Sequence, residues 1–100
     1  MFYIYILYSE NSDKYYVGYT NDPERRLIEH NTKAFTTYTS KHRPWRMEFF
    51  FPLSENKSDA MRVEKYIKKQ KSATFIRKII QSKDDKEFMA QLVRVPFERD

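Results

Sequence analysis

The first twenty residues carry two apolar, tyrosine-rich segments that predict a β-hairpin. In residues 2–8, apolar or aromatic side chains fill both alternating positions, which is typical of a central strand covered on both faces. A polar turn follows at residues 10–13, and residues 14–20 have the composition of the returning strand. The chain's single glycine, Gly18, lies in this second segment. Because glycine weakens a strand interior, its position indicates a bulge, a bend or a close approach by backbone or ligand.

The hairpin is followed by a predicted helix with a clear start. Asp22 supplies a side-chain acceptor at the N-cap, and Pro23 occupies the first helical position. We expect this helix to end near Asn31 and to pack through Leu27 and Ile28.

Residues 32–45 lack a periodic pattern and predict a long irregular segment. Residues 46–51 predict a third strand, which we expect Pro52 to stop.

A second helix is expected from a cap at Ser58 or Asp59 to about Lys69. Its inward stripe consists of Ala60, Val63 and Ile67, with Met61 beside it. Glu64 lies at the edge of that stripe. A carboxylate there needs a partner, a metal ion or a cleft, because burying it alone costs several kcal/mol.

Two more helices complete the pattern. Ser72 predicts the cap of a third helix, and residues 85–93 predict a short final one. The apolar residues of these two helices are Phe75, Ile76, Ile79 and Ile80, then Phe88, Met89 and Leu92. The chain therefore predicts an α/β (α+β) domain, with a three-stranded, mainly antiparallel sheet flanked by helices.

Composition narrows the class of protein. One hundred residues suit a single domain, and 40% hydrophobic with 33% charged residues is typical of a globular chain. The absence of cysteine excludes disulfides, thiolate metal sites and a thiol nucleophile. No apolar run is long enough for a membrane span and no signal peptide is visible, so we expect a cytoplasmic protein. The net charge of +5 favours a polyanionic partner.

The most specific pattern combines tyrosines on two strands with a glycine, a basic helix face and a later glutamate: Tyr3-Ile4-Tyr5, Tyr16-Val17-Gly18, Arg26, His30 and Glu64. In order and spacing it resembles the GIY-YIG nuclease domain, and most of all the small stand-alone bacterial members related to the N-terminal domain of the excision-repair nuclease. The resemblance covers residues 2–80. It departs from the family name at Tyr3, where the family has glycine, and at Val17, where it has isoleucine.

The resemblance implies a division of the chain and a set of roles. Residues 1–80 form the GIY-YIG-like nuclease domain, and residues 81–100 a C-terminal extension with a short helix on the same domain. The implied catalytic residues are Tyr5, Tyr16, Arg26, His30 and Glu64, with Gly18 as a structural element of the motif. Glu64 is the implied metal ligand, for Mg²⁺ or Mn²⁺.

The implied roles are distinct. Tyr5 is expected to act as general base on the attacking water. Tyr16 is expected to position water or phosphate and could share the proton transfer. Arg26 offers a planar charged group for a phosphate oxygen. His30 would relay a proton or donate a hydrogen bond to the phosphate.

The expected function is that of a metal-dependent endonuclease that hydrolyses DNA, is structure-selective or weakly specific, and is related to repair. Six basic residues are the candidates for nucleic-acid binding: Lys41, Arg43, Arg46, Lys68, Lys69 and Lys71. The mixed basic and aromatic stretch around Lys41 to Arg46 suits backbone binding with base stacking, although Trp45 itself favours a place in the core.

Alternative interpretations remain at this point. The chain could be a nucleic-acid-binding module without useful turnover, or a subunit activated only by a protein of a repair complex. Singly, Glu64 could pair with Lys68 one turn later, and Gly18 could mark a simple β-bulge.

Overall fold

An antiparallel sheet surrounded by helices forms the structure, a computed structural model that describes residues 1–33 and 37–95. In chain order the elements are β1 (Phe2–Ser9), β2 (Lys14–Thr20), α1 (Pro23–Thr32), α2 (Thr37–Lys41), β3 (Arg46–Ser54), α3 (Lys57–Lys69), α4 (Ala73–Gln81) and α5 (Lys86–Val93). The strand order is β2-β1-β3, and β1 is antiparallel to both neighbours. The predicted α+β class and three-stranded antiparallel sheet are confirmed.

The central strand β1 separates two apolar clusters. Ile4 and Ile6 belong to the larger cluster, which β2 and β3 extend and which α3, α4 and α5 cover. Tyr5 and Leu7 belong to the smaller cluster, where they pack with Trp45 and with residues of α1 and β3. Both faces of β1 are therefore covered, as its unbroken apolar pattern predicts.

The predicted inward faces of the later helices are confirmed. The buried members of the larger cluster that these helices supply are Val63, Ile67, Ile79, Met89 and Leu92, and Ala60 on α3 is buried as well. The α5 helix thus packs on the same core as α3 and α4. Within the described part of the chain, no helix is long and apolar enough to cross a membrane.

Helix starts follow the capping residues with one exception. The side chains of Asp22, Ser72 and Asp85 accept hydrogen bonds from the third residue beyond each of them, as N-cap residues do. The expected cap of α3 at Ser58 or Asp59 is wrong, since the helix begins at Lys57. The Asp59 carboxylate instead accepts a hydrogen bond from the Ser54 hydroxyl, at 2.7 Å.

The first helix differs from its prediction in one respect. It ends at Thr32, one residue beyond the predicted end near Asn31, so the difference lies in the packing. Leu27 packs against the smaller cluster, but Ile28 is 57% exposed and contributes little to the core. The structure corrects the expectation that both residues anchor this helix.

A short helix interrupts the segment expected to be irregular. The α2 helix lies within residues 32–45, of which 34–36 fall outside the described residues. The Trp45 indole N–H donates to the Thr39 carbonyl oxygen at 2.8 Å, and both residues are buried. A tertiary contact therefore holds a turn of helix that has no periodic pattern of its own.

The third strand extends through Pro52 to Ser54 instead of stopping at the proline. Because β3 is an edge strand, it is hydrogen-bonded on one side only, and proline is tolerated in such strands. Pro52 also lies beside a register shift, where pairing with β1 is irregular.

The side chain of Asn31 joins the end of α1 to the start of β3. It donates to the Trp45 carbonyl oxygen at 2.9 Å and accepts from the Trp45 backbone N–H at 2.7 Å. The Asn31 amide thus takes the place of a backbone partner for the N–H and the C=O of the buried Trp45.

We expect Asn31→Ala to lower the free energy of unfolding by about 1–3 kcal/mol, because it leaves two backbone groups of Trp45 without these partners. Urea unfolding would measure the loss. Asn11→Ala is the matched control, since that amide is exposed and makes a long bond of 3.5 Å, and its effect should stay within about 0.5 kcal/mol. Equal effects from the two substitutions would contradict this role.

Candidate active site

The close pairing of Tyr5 with Gly18 is the first element of the site. The two residues lie opposite each other in the β1–β2 register, which is uninterrupted from Tyr3 to Ser9. A Cβ atom on Gly18 would lie 2.4 Å from the Tyr5 hydroxyl oxygen and 2.5 Å from Cζ. The glycine is therefore required by the space that a tyrosine ring occupies, and the bulge interpretation is wrong.

The Tyr5 hydroxyl lies between two side chains of α1. Arg26 donates to it from Nε at 3.4 Å, and His30 Nε2 lies 2.8 Å from it. Burial lowers the pKa of His30 to about 4, with the nearby positive charge of Arg26 as the second cause. The imidazole is therefore neutral at pH 7. Because Arg26 can donate only, the arrangement favours a chain in which Tyr5 accepts from Arg26 and donates to His30.

Tyr16 and Glu64 complete the cluster around Tyr5 and His30. The Tyr16 ring centroid is 4.8 Å from that of His30 and 6.4 Å from that of Tyr5. Glu64 pairs with Lys68 at 3.6 Å, and the Lys68 Nζ lies 5.1 Å from the Tyr16 ring centroid. The predicted ion pair thus exists, but it forms beside the tyrosines rather than on a remote surface.

Burial sets the protonation equilibria of this cluster. It raises the pKa of Tyr5 and of Tyr16, and the Glu64 carboxylate adds to the rise at Tyr16. Arg26 opposes both shifts. Burial also raises the pKa of Glu64, while the charge of Lys68 opposes that rise. Each charged group in the cluster therefore has an opposite charge or a strong donor beside it.

Four of the five predicted catalytic side chains line one open cleft of about 440 Å³: Tyr5, Tyr16, Arg26 and Glu64. Gly18 lines the same cleft. His30 is fully buried and contacts the cleft through Tyr5 and Tyr16.

Sequence reasoning missed two cations that also line the cleft, Arg25 and Lys57. Arg25 directly precedes Arg26 in the sequence, and this neighbourhood could have marked it as a candidate. Lys57 offered none, because the predicted α3 began after it.

The six candidate DNA-binding residues divide into two groups. Lys41, Lys68, Lys69 and Lys71 are exposed. Arg43 is engaged with the end of α1, where its guanidinium donates to the carbonyl oxygens of His30, at 2.8 Å, and Lys33. Arg46 forms ion pairs with Glu48 at 2.8 Å and with Glu10 at 3.4 Å. None of the six candidates lines the cleft with the catalytic candidates, although Lys68 is paired with Glu64 at its edge.

The donor set of the cleft fits a hard divalent cation. Among residues 1–33 and 37–95, no group of three or more His, Asp or Glu side chains is arranged to hold a metal ion. Mg²⁺ does not need such a group, since it retains several waters and binds through one or two carboxylates plus substrate phosphate. Glu64 supplies one carboxylate in an open cleft, next to the guanidinium of Arg26.

Substitution of the glycine tests the packing of the site. We expect Gly18→Ala to cost about 1–3 kcal/mol of stability, because the new methyl group overlaps a buried ring. In a Tyr5→Ala background, where that ring is missing, the same substitution should cost almost nothing. Chemical denaturation of the four proteins gives the coupling energy. Additive effects would mean that the ring does not require the glycine.

The neutral His30 predicts a pH dependence of stability. Its pKa is about 4 in the folded protein and 6.5 when unperturbed, so the unfolded chain binds more protons in that window. The stabilising contribution is complete above pH 6.5 and is lost as pH falls towards 4. The loss should amount to a few kcal/mol, because one pKa unit corresponds to about 1.4 kcal/mol.

Unfolding curves between pH 4 and 8 would measure this loss, with His30→Gln as the reference. The variant should lose less stability than the parent across the same window. Parallel pH profiles would contradict a buried neutral His30.

Comparison with known proteins is consistent with this geometry. A model of the GIY-YIG catalytic domain matches residues 1–87. A UPF0213 protein of Clostridium perfringens is 38% identical over 69 residues, which cover 69% of this chain and 72% of the relative. A UPF0213 protein of Halobacterium salinarum is 39% identical over 80 residues, which cover 75% of this chain and 100% of the relative.

A second kind of relative is much longer. The structure-specific endonuclease subunit SLX1 homologue of Giardia intestinalis is 36% identical over 69 residues, covering 64% of this chain and 19% of the relative. The chain thus spans less than a fifth of that protein. No solved structure matches the chain significantly. The family-model match covers most of the sequence, including the segments 3–5 and 16–18 of the cleft, and the chain therefore belongs to the GIY-YIG family.

Proposed function

We propose that this protein is a metal-dependent endonuclease that hydrolyses phosphodiester bonds in DNA and selects its target by structure or with weak sequence preference. The observation that carries the proposal is the convergence of two tyrosines, an arginine and a glutamate on one cleft from four different elements. Relatives named as structure-specific endonuclease subunits support endonuclease activity and selection by structure. A role in DNA repair, with a protein of a repair complex as partner, belongs to the same proposal.

Glu64 is the proposed metal ligand. Its carboxylate lies in the cleft, and Lys68 favours its ionised form by opposing the effect of burial. A bound Mg²⁺ or Mn²⁺ would orient phosphate oxygens and polarise the leaving oxygen. Lys68 is 3.6 Å from the carboxylate, so it neutralises Glu64 when no cation does.

Arg26 is proposed to hold a phosphate oxygen. Its guanidinium is half-buried at the cleft, is fixed by Tyr5 and forms an ion pair with Glu29 at 3.2 Å. A permanently charged, preorganised group of this kind stabilises negative charge that develops on the phosphate without having to reorient.

The geometry favours a division of labour between the tyrosines that differs from the one expected. Tyr5 is 1% exposed, and its hydroxyl lies between Arg26 and His30. Tyr16 is more exposed and lies beside Glu64. A general base must come within hydrogen-bond reach of the water it deprotonates. We infer that Tyr16 meets the attacking water, and that Tyr5 and His30 position Arg26 and the Tyr16 ring.

The proposed extent of the nuclease unit is residues 1–80, with residues 81–100 as an extension packed on the same domain. The contacts of Met89 and Leu92 with the larger cluster support that packing for α5. Residues 96–100 lie outside the described residues.

Cleavage of labelled single-stranded, duplex, nicked and branched DNA with Mg²⁺ or Mn²⁺ tests the function. We expect metal-dependent cutting that Glu64→Gln abolishes and that Tyr16→Phe lowers by about 10²–10⁴-fold. Tyr5→Phe should have a smaller effect. Glu87→Gln is the matched control, because this glutamate is exposed on α5, away from the cleft.

Each alternative gives a different result. Tight DNA binding without cutting by the wild type would favour a binding module, and cutting only after addition of a partner protein would favour a subunit. Cutting that survives Glu64→Gln would overturn the metal site. A larger loss from Tyr5→Phe than from Tyr16→Phe would return the role of base to Tyr5.

A further inference from the structure

A second cavity adjoins the catalytic cleft on the side of Tyr16. This cavity, here called the side groove, has a volume of about 340 Å³, and its lining includes Tyr15, Tyr16, Tyr38, Lys68, Lys71 and Ile76. Tyr16 lines both cavities, and Lys68 of the side groove pairs with Glu64 of the cleft. A ligand in the side groove would therefore lie next to a phosphate held in the cleft.

We propose that the side groove binds one unpaired nucleotide of DNA, adjacent to the scissile phosphate, with its base stacked on Tyr38. This inference rests on the proposed nuclease function and names its substrate class, DNA with a single-stranded segment at the cut. Two independent features of the groove carry it, an exposed aromatic ring that lies against a buried tryptophan, and a pair of lysines.

The Tyr38 ring is suited to stacking against a base. Its side chain is 41% exposed although it belongs to an aromatic cluster. Its ring centroid lies 4.9 Å from that of His42 and 6.1 Å from that of Trp45. Trp45 is buried and bonded to the α2 backbone, so the ring is held in place before a ligand arrives. Sequence-tolerant binding of unpaired bases uses exposed aromatic rings of this kind.

The charge of the side groove suits a phosphate. Lys68 and Lys71 line it, and among its described lining residues no Asp or Glu occurs. The Lys68 Nζ lies against the Tyr16 ring at 5.1 Å from its centroid, which places a cation between the two cavities. Positive side chains along an aromatic groove are the usual means of binding a single strand.

Lys71 occupies a backbone position that favours another residue. It follows the C-cap of α3 with a φ of 49°, in the left-handed region, where helix ends commonly have glycine. A lysine there costs folding free energy that glycine would not. The conformation at the end of α3 favours glycine, so the charge of Lys71 explains its presence in the groove better than the backbone does.

Fluorescence of 2-aminopurine tests the stacking. The base is placed as the unpaired nucleotide that flanks the junction of a flap DNA, and binding is measured in the Glu64→Gln background so that no cleavage occurs. We expect the fluorescence to be quenched by the parent and by Tyr38→Phe, and not by Tyr38→Ala. The affinity for the flap should fall about 5- to 100-fold in Tyr38→Ala, while the affinity for fully paired nicked DNA stays unchanged. Phe50→Ala is the matched control, since that ring is 45% exposed on β3, outside both cavities.

Substitution of Lys71 separates charge from structure. Lys71→Gly should keep or raise the melting temperature and lower flap affinity, with a salt dependence reduced by about one unit of slope. Lys71→Arg should retain the affinity. Unchanged affinity in Lys71→Gly would overturn the role of this lysine.

The two proposals fail in different ways. Quenching that persists in Tyr38→Ala, or an equal loss of affinity for flap and nicked DNA, overturns the side groove as a nucleotide site. Quenching that behaves as expected while the wild type cuts no substrate supports the side groove and rejects the nuclease.

Discussion

The buried side chain of Tyr5 joins three of the four elements that supply the residues of the cleft. Tyr5 lies on β1, and its ring fills the space above Gly18 on β2. Its hydroxyl oxygen accepts a hydrogen bond from Arg26 and lies close to His30, both on α1. A buried phenol without a partner would cost several kcal/mol, so the strand pair and the helix are fixed relative to each other by the need to satisfy it. The position of Arg26 in the cleft follows from that constraint.

Burial disfavours the charged form of every ionisable group in this site. Which groups are charged therefore depends on the residues beside them. Burial makes His30 neutral at pH 7 and keeps the tyrosines protonated, whereas Glu64 and Arg26 each lie beside a group that favours their charged form. The cleft thus presents the charged groups of Arg26 and Glu64 together with two phenols that stay neutral. Such a preorganised pair suits a phosphodiester, whose charge increases on one side while its leaving oxygen needs assistance on the other.

The sequence predicted those features that local chemistry determines. Strand β1 followed from its unbroken apolar pattern, and the starts of α1 and α4 from Asp22 and Ser72, because side-chain caps act within three residues. The α2 helix and the continuation of β3 through Pro52 could not be predicted, since one depends on the Trp45 indole and the other on the strand being at an edge. A close approach was only one of several explanations that a glycine in a strand allows. The sequence does not reveal that Tyr5 is the residue that occupies the space beside Gly18.

The distribution of basic residues indicates how a domain of 100 residues can discriminate between substrates. Arg43 is engaged with the end of α1, and the exposed Arg46 is paired with two carboxylates. The lysines near the end of α3 remain, and they adjoin the site on the side of Tyr38. Phosphate contacts alone position DNA without selecting it. A stacking ring beside the cleft adds selection at small cost in surface, because a base already free of its duplex needs no unpairing before it binds.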